Sequence, residues 1–298
     1  MFNPEGIIVA MVTPMTSDED LDEATLRKAV NYYIDKGVQG LFCLSTNGEF
    51  FSLTYEEKIR MVEIVIDEAK GRVQVWVGTG GITTREVIKL TKEVEAMGAD
   101  AVSVITPYVV SPSQEEMFVH YQRIAESVKL PIIIYNIPAK TQVSISPDIV
   151  QQLAEIDNIV GIKDSSGDFK NILQYIQLTP ADFSVLSGND GLVYWTLLAG
   201  GKGSVSGMAN IFPEIMVGIY RLWKEGKYEE AKQMQDKIAP IRSTLGLNTF
   251  PSIVKTAMEL SGKPVGPTRS PILMPDESIK TKVKEVINKH YLQYTSSF

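Results

Sequence analysis

Eight short apolar runs, separated by stretches in which apolar residues recur at helical spacing, constrain the fold of this chain more than any other feature. Between the second and third runs, residues 54–69 place Ile59, Val62 and Val65 on one face and charged side chains on the other. Short apolar strands that alternate with amphipathic helices predict repeated βα units around a parallel sheet. Eight such units predict a (β/α)₈ TIM barrel with strands at residues 7–13, 40–45, 73–78, 101–106, 131–136, 159–164, 183–188 and 203–207.

The chain continues past the eighth unit with three more helical patterns, at residues 227–242, 251–260 and 276–291. A barrel of eight units does not need these helices, so they predict a C-terminal helical extension. We therefore expect a barrel domain over residues 1–225 and a helical extension over residues 226–298 that packs on it. An open, doubly wound sheet with a helical tail is the alternative architecture.

Composition and charge exclude several classes of partner. The chain has 298 residues, 44% of them hydrophobic, which is enough for one large core. Its formal net charge of -7 removes the basic surface that nucleic-acid binding needs, so we expect no nucleic-acid partner. No apolar run has the length of a membrane span, and the first residues lack the positively charged start of a signal peptide. Because Cys43 is the single cysteine, no internal disulfide can form, and we expect a cytoplasmic protein with no membrane partner.

Polar side chains follow most of the predicted strands at the point where each strand ends. In a barrel of this kind the reactive groups lie at the carboxyl ends of the strands, which predicts that these side chains meet at one mouth. The set consists of Ser45-Thr46-Asn47, Thr106, Tyr135-Asn136, Lys163-Asp164, Gly188-Asn189-Asp190 and Ser206.

Lys163 is the most informative of these residues, because it ends an otherwise apolar strand. An amine that loses hydration in an apolar barrel is more readily the neutral nucleophile, which can condense with a ketone to form a Schiff base. The positive nitrogen of that Schiff base then accepts electrons when a neighbouring carbon–carbon bond forms or breaks. The alternative is a structural lysine that extends to solvent or pairs with Asp164.

Tyr135 closes the preceding strand, where it can face Lys163. A phenol at that position can pass protons to and from the carbinolamine and a substrate hydroxyl. Alternatively, Tyr135 is a packing residue whose hydroxyl bonds a neighbour.

The turn after the second strand, Ser45-Thr46-Asn47-Gly48-Glu49, is called here the 45–49 turn. It lies between a strand and a helix, so its N–H groups and hydroxyls can bind a substrate carboxylate. The alternative is an ordinary βα turn in which Gly48 supplies the unusual backbone angle and Glu49 ties the loop down.

Other motifs do not predict a cofactor or a metal. Gly78-Thr79-Gly80-Gly81 lacks the third glycine of a dinucleotide fingerprint, and Gly201-Lys202-Gly203-Ser204 lacks the Walker spacing. His120 and His290 are the only histidines and are too far apart in sequence for a metal cluster. Cys43 lies within an apolar strand and is expected to be a buried hydrophobe.

Five motifs in order resemble the dihydrodipicolinate synthase/N-acetylneuraminate lyase family of class I pyruvate-dependent aldolases, over about residues 7–275. They are the 45–49 turn, Thr106-Pro107-Tyr108, Tyr135-Asn136-Ile137-Pro138, Gly161-Ile162-Lys163-Asp164 and Ser187-Gly188-Asn189-Asp190. The resemblance implies a barrel enzyme, usually a homotetramer, in which Lys163 forms an imine with pyruvate or another 2-oxo acid. It implies no metal or organic cofactor.

The same resemblance assigns roles around the imine. It implies that Tyr135 is the acid–base residue. It also implies that Thr46 and Asn47 bind the pyruvate carboxylate and that Thr46 relays protons. The remaining assignments are the carbonyl of Val205 near the imine and tyrosine, and Gly188, Asp190 and Gly207 around the variable aldehyde end.

Three departures from the family pattern bear on the aldehyde. A dihydrodipicolinate synthase has an arginine where this chain has Lys140, and a second tyrosine where it has Val109. Lysine is a point charge that lacks the planar fork of arginine, and valine cannot relay a proton. A sialic acid lyase has an acidic residue where this chain has Gly191.

These departures, with segments 48–50 and 247–251, favour members of the family that cleave 2-keto-3-deoxy sugar acids. We therefore predict a Schiff-base lyase that joins pyruvate reversibly to an aldehyde, with such a sugar acid as substrate. The first alternative is 4-hydroxy-tetrahydrodipicolinate synthase, which uses aspartate semialdehyde, and a family dehydratase acting on deoxy sugar acids comes next. An alternative of another class is a non-catalytic protein that binds 2-oxo acids.

Overall fold

Eight parallel strands form a closed barrel in a computed structural model that describes Phe2 and residues 4–298. Met1 and Asn3, which belong to the stretch where no signal peptide is expected, lie outside the described residues. The strands follow one another around the barrel in chain order, which confirms the predicted (β/α)₈ fold over the open sheet. They are β1 Gly6–Ala10, β2 Gly40–Cys43, β3 Gln74–Gly78, β4 Ala101–Ile105, β5 Ile132–Asn136, β6 Ile159–Asp164, β7 Ser184–Ser187 and β8 Gly203–Ser206.

Helices separate the strands and continue beyond the last one. The helices up to β8 are α1 Glu23–Asp35, α2 Tyr55–Ala69, α3 Thr84–Ala96, α4 Gln114–Ser127, α5 Pro138–Thr141, α6 Pro147–Leu153, α7 Phe169–Leu178 and α8 Val193–Leu198. The later ones are α9 Pro213–Lys224, α10 Tyr228–Asp236, α11 Ala239–Arg242, α12 Ser252–Leu260 and α13 Glu277–His290. In the described part of the chain, no helix has the length and apolar character that crossing a membrane requires.

Local sequence signals account for where several helices begin and end. The Thr54 side chain accepts from the backbone N–H of Glu57, whose carboxylate in turn accepts from the N–H of Thr54, so α2 begins with a capping box. The predicted helix over residues 227–242 is instead two helices, α10 and α11. The break precedes Pro240, which has no N–H to donate to the preceding turn.

The chain divides into two compact units. The first consists of the N-terminal residues up to Gly6 together with Gln74–Val205, and the second of Ile7–Val73 and Ser206–Phe298. The predicted division into residues 1–225 and 226–298 stays a prediction.

In the first unit, the register of the strands aligns one row of residues near their carboxyl ends. Ile105 of β4 pairs with Tyr135 of β5, Tyr135 pairs with Lys163 of β6, and Lys163 pairs with Leu186 of β7. These strands are buried nearly throughout, as expected for a parallel sheet covered by helices. A tyrosine and a lysine therefore enter an otherwise apolar row.

In the second unit, β1 pairs with β2 and brings the start of the barrel beside the 45–49 turn. Helix α1 packs on α2, α9 on α10, and α12 on α13. The contact between α9 and α10 is close at Gly218, where a Cβ would lie 2.6 Å from the Cε of Met234.

Candidate active site

Lys163 and Tyr135 lie side by side on adjacent strands, as the sequence predicts. The Nζ of Lys163 is 3.8 Å from the centroid of the Tyr135 ring, and each residue is only 4% exposed. The amino group of Lys163 therefore lies over the face of the phenol ring, in the geometry of a cation–π contact. An amine and a phenol in this arrangement can act as a nucleophile and a proton carrier within a single buried site.

Gly188, which follows β7, leaves room for the Lys163 side chain. A Cβ built at Gly188 would lie 3.0 Å from the Cε of Lys163 and 1.9 Å from the Oγ of Ser165. The N–H of Gly188 donates to the carbonyl of Asp164 at 2.7 Å, which fixes the backbone in this close approach. Sequence reasoning assigned Gly188 to the aldehyde end, whereas its nearest neighbours include the lysine itself.

Asp164 follows Lys163 but its carboxylate bonds elsewhere. It accepts from the Nδ2 of Asn136 at 2.7 Å and from the Oγ of Ser166 at 2.6 Å. Asp164 is fully buried, and this burial raises the pKa of its carboxyl against the opposing effect of these hydrogen bonds. Asn136 and Asp164 thus join the ends of β5 and β6, a pairing that sequence reasoning missed. The signal was a polar residue directly after each of Tyr135 and Lys163.

The loops after β4 and β5 are joined by a buried hydroxyl pair. The Oγ1 of Thr106 donates to the Oγ1 of Thr141 at 3.0 Å. Lys140, which precedes Thr141 on α5, is exposed. Its ammonium therefore lies in solvent next to a buried anchor.

Val109, where the family resemblance predicts a second tyrosine, has an unusual backbone conformation. It has φ of 80°, which a β-branched residue rarely adopts, and its side chain is 81% exposed. The neighbouring Tyr108 is half-buried, and this burial raises the pKa of its phenol.

Asp190 and Val205 complete the predicted residues of the first unit. Asp190 begins a short 3₁₀ helix, Asp190–Leu192, and the side chain of Asn189 caps it by accepting from the N–H of Gly191 at 3.0 Å. Val205 lies in β8 and is 2% exposed. The structure therefore gives Asp190 partial access to solvent and Val205 very little.

The 45–49 turn in the second unit is tightly constrained. The Oγ of Ser45 accepts from the N–H of Gly48 at 3.1 Å, and a Cβ at Gly48 would lie 2.9 Å from the carbonyl of Met11. Glycine is therefore needed at position 48 for a close approach. In the alternative interpretation of this turn, Gly48 supplies the unusual backbone angle; that part is wrong, because the left-handed residue is Glu49, with φ of 55°.

Asn47 and Gly207 are both held by hydrogen bonds within this unit. The Nδ2 of Asn47 donates to the carbonyl of Ala10 at 3.0 Å, and Thr46 before it is partly exposed. Asn210 donates its amide to the same carbonyl and to that of Gly207, at 2.8 Å and 2.9 Å. Asn210 is fully buried and was missed, because no sequence motif marks an asparagine that bridges loops.

Comparison with known proteins decides the family. A model of the dihydrodipicolinate synthetase family matches residues 3–290. The chain belongs to this family. It is 41% identical, over 95% of its length and 97% of the relative's, to 4-hydroxy-tetrahydrodipicolinate synthase of Archaeoglobus fulgidus.

Solved structures of family members have the same fold. Dihydrodipicolinate synthase DapA-2 of Bacillus anthracis has a TM-score of 0.93 and 36% identity, covering 97% of this chain and 99% of that one. YagE of E. coli K12, a family member solved in complex with pyruvate, has a TM-score of 0.94 and 33% identity, with the same coverage.

Family membership makes this chain a lyase of the class I aldolase type. Enzymes of the family form a Schiff base between pyruvate and a lysine and need no cofactor. The catalytic reading is thereby favoured over a non-catalytic 2-oxo acid binding protein. Within the residues that the structure describes, no group of three or more acidic, histidine or cysteine side chains is arranged to hold a metal ion.

Proposed function

We propose that this chain is a 4-hydroxy-tetrahydrodipicolinate synthase, which joins pyruvate to aspartate semialdehyde. The observation that carries the proposal is the 41% identity, over nearly the full length of both chains, to a relative of that name. The buried pair of Lys163 and Tyr135 supports it, because the reaction needs an amine and a proton carrier together.

In the proposed reaction, the neutral amine of Lys163 attacks C2 of pyruvate, and loss of water gives an imine. Loss of a proton from C3 then gives an enamine, because the protonated imine nitrogen accepts the electron pair. C3 of the enamine attacks the aldehyde carbon, and Tyr135 delivers a proton to the oxygen that becomes a hydroxyl. Attack of the semialdehyde amine on C2 closes the ring and releases Lys163.

The other residues are assigned binding roles on the family resemblance. Thr46 and Asn47 hold the pyruvate carboxylate through their backbone N–H groups, and Thr46 also binds it through its hydroxyl. We assign the backbone N–H of Asn47 to this role, because its side-chain amide donates to Ala10. The carbonyl of Val205 faces the imine in this proposal, and Gly188, Asp190, Gly207 and Lys140 surround the aldehyde.

Cleavage of a 2-keto-3-deoxy sugar acid is the second candidate function, and two residues favour it. Lys140 replaces the arginine that would clamp the semialdehyde carboxylate, and Val109 replaces a tyrosine that would relay a proton. An uncharged sugar aldehyde needs neither the arginine nor the tyrosine. In that direction, Tyr135 takes the C4 hydroxyl proton as the C3–C4 bond breaks.

Two assays test these proposals. Borohydride reduction with pyruvate is expected to add the reduced adduct to the parent at Lys163 and to leave Lys163→Met unlabelled, as read by peptide mass spectrometry. A parent that is not labelled overturns the lyase mechanism. Turnover is then measured with aspartate semialdehyde and with 2-keto-3-deoxygluconate, and activity with the sugar acid alone overturns the synthase assignment.

We also propose a homotetramer, with a dimer as the alternative, on the family resemblance, and a cytoplasmic location, because the single cysteine, Cys43, forms no internal disulfide. Light scattering on the purified protein measures the mass of the assembly, and a monomer contradicts the first proposal.

A further inference from the structure

A fully buried ion pair joins the last residue of the 45–49 turn to α12. The Nζ of Lys255, on α12, is 2.8 Å from the Oε1 of Glu49, and neither side chain is exposed to solvent. The same Nζ donates to the carbonyl of Pro267 at 2.6 Å. Burial lowers the pKa of Lys255 while the Glu49 carboxylate opposes that shift. Because desolvating two charges is unfavourable, such a pair is weak evidence for a stabilising role.

Arg269 holds the second oxygen of the same carboxylate. Its backbone N–H donates to the Oε2 of Glu49 at 3.0 Å, so each oxygen of Glu49 has its own partner. The guanidinium makes two bonds of 2.7 Å to the carboxylate of Glu57, at the start of α2, and one of 2.9 Å to the carbonyl of Ser52. The C-terminal segment therefore contacts the turn and the chain that leaves it.

The backbone of Glu49 shows what these contacts hold. Its left-handed conformation, with φ of 55°, is unfavourable for a residue with a Cβ and persists only where the surroundings fix it. The N–H of Glu49 donates to the carbonyl of Thr46 at 3.3 Å, and the N–H of Phe50 donates to that of Ser45 at 3.3 Å. The direction of the Thr46 and Asn47 N–H groups is thus linked to the conformation of Glu49.

We propose that Glu49 and Lys255 are positioning residues for pyruvate. Their ion pair, held by Arg269, fixes the backbone of the 45–49 turn so that Thr46 and Asn47 present preformed donors to the substrate carboxylate. This inference rests on the proposed function of the turn. It explains why two charges are buried where an apolar pair would pack, since the requirement is a fixed backbone and not stability.

The test compares the parent with the double variant Glu49→Leu/Lys255→Met. Replacing both partners removes the buried charges together, so the melting temperature is expected to stay near that of the parent. The pyruvate concentration for half-maximal borohydride trapping at Lys163 is expected to rise about tenfold. A rise of that size corresponds to the loss of one or two hydrogen bonds to a charged group. Trapping at saturating pyruvate is expected to remain complete.

Two further variants make the result decisive. Glu49→Gln keeps the length of the side chain, so it is expected to bind pyruvate better than the double variant. It also provides the measurement if the double variant does not fold. Lys263→Met is the matched control, because Lys263 is another fully buried lysine, bonded to the carbonyls of Ser261 and Ser296 and not to the turn. It is expected to lower the melting temperature and leave pyruvate binding unchanged.

The outcomes separate this inference from the proposed function. A parent that pyruvate and borohydride do not label overturns the function itself. If the parent is labelled, the inference is wrong when Glu49→Gln and any folded double variant bind pyruvate like the parent. It is also wrong when Lys263→Met weakens pyruvate binding as much as those variants do.

Discussion

Tyr135 and Lys163 share one buried position at the ends of β5 and β6, and their chemistry is separable by mutation. Tyr135→Phe removes only the hydroxyl, so we expect kcat/KM for the condensation to fall about 10²- to 10⁴-fold, the contribution of a general acid–base group. The folded structure is expected to remain, since phenylalanine fills the same space; circular dichroism and steady-state kinetics measure both.

The control for this substitution is Tyr121→Phe in the same unit. Tyr121 is buried and donates its hydroxyl to the carbonyl of Val104 at 3.0 Å, so its loss is expected to reduce stability without reducing turnover of the folded enzyme. Equal kinetic losses in the two variants would contradict the catalytic role of Tyr135.

Lys140 provides a test of the aldehyde. If its ammonium binds the carboxylate of aspartate semialdehyde, Lys140→Gln raises the KM for that substrate about tenfold. The KM for pyruvate is expected not to change. Lys129→Gln, an exposed lysine just before β5, is the matched control. An unchanged KM for aspartate semialdehyde in Lys140→Gln argues for an uncharged aldehyde.

The methyl group that Gly188→Ala adds is expected to have a steric effect. The Cβ of Gly188→Ala meets the Oγ of Ser165 and the Cε of Lys163, so we expect a loss of about 1–3 kcal/mol in the free energy of unfolding and slower imine formation. The control is Gly246→Ala, where a Cβ has no heavy atom of the described residues within 4 Å. Urea unfolding and the rate of borohydride trapping measure the two effects, and Gly188→Ala with parent values would refute the crowding.

Single residues were predictable where a strand broke its own apolar pattern. Lys163 and Tyr135 stand out for that reason. Asn210 and the partners of Asp164 do not, because their roles depend on loops that come together only in the fold. The misassigned backbone angle in the 45–49 turn has a similar cause. Glycine is the usual left-handed residue, but here a close approach required Gly48 and the strain moved to Glu49.

Helices α3 and α4 meet at His120, and this residue makes the stability of the folded chain depend on pH. The Oγ1 of Thr84 lies 2.8 Å from the Nδ1 of His120, while Nε2 is buried without a hydrogen-bond partner among the described residues. Burial lowers the pKa of His120 to about 4. Between pH 6.5 and about 4 the unfolded chain therefore takes up a proton that the folded chain does not, so stability falls as the pH is lowered through this range.

The loss attributable to His120 is roughly 3 kcal/mol at most. Urea unfolding at pH 7 and at pH 5 measures part of it. His120→Phe, which keeps a ring against Tyr121 but cannot titrate, is expected to show a smaller difference between the two pH values. An equal difference in parent and variant would assign the pH dependence to other groups.

The strands and helices were largely predictable because local patterns agree with the fold. Apolar runs predicted the eight strands, and helical spacing over residues 54–69 predicted α2. The helix over residues 227–242 was predicted as one element because the apolar spacing continues through Pro240. The structure has two helices there, because that proline lacks the N–H that would bond the preceding turn.

Across the chain, the ordered motifs predicted the family, while the choice of aldehyde depends on two or three loop positions. The chemistry proposed for this chain needs Lys163 and Tyr135 at adjacent strand ends, where the register of β5 and β6 places them. Lys140, on the short helix α5, and Val109, in the loop after β4, are both exposed, where folding constrains side-chain identity little. The long-range pairing of Glu49 with Lys255 was likewise beyond sequence reasoning, since the two residues belong to different elements.

Gly188 also limits how this enzyme can acquire a new substrate. Any side chain added there presses on Ser165 and on the Cε of Lys163, so such a change is expected to be better tolerated after residue 165 has become smaller. Mutational routes that begin at 188 are therefore expected to pass through less stable intermediates that form the imine slowly. Routes through the exposed positions 109 and 140 do not, and directed evolution toward other aldehydes should yield its first improved variants there.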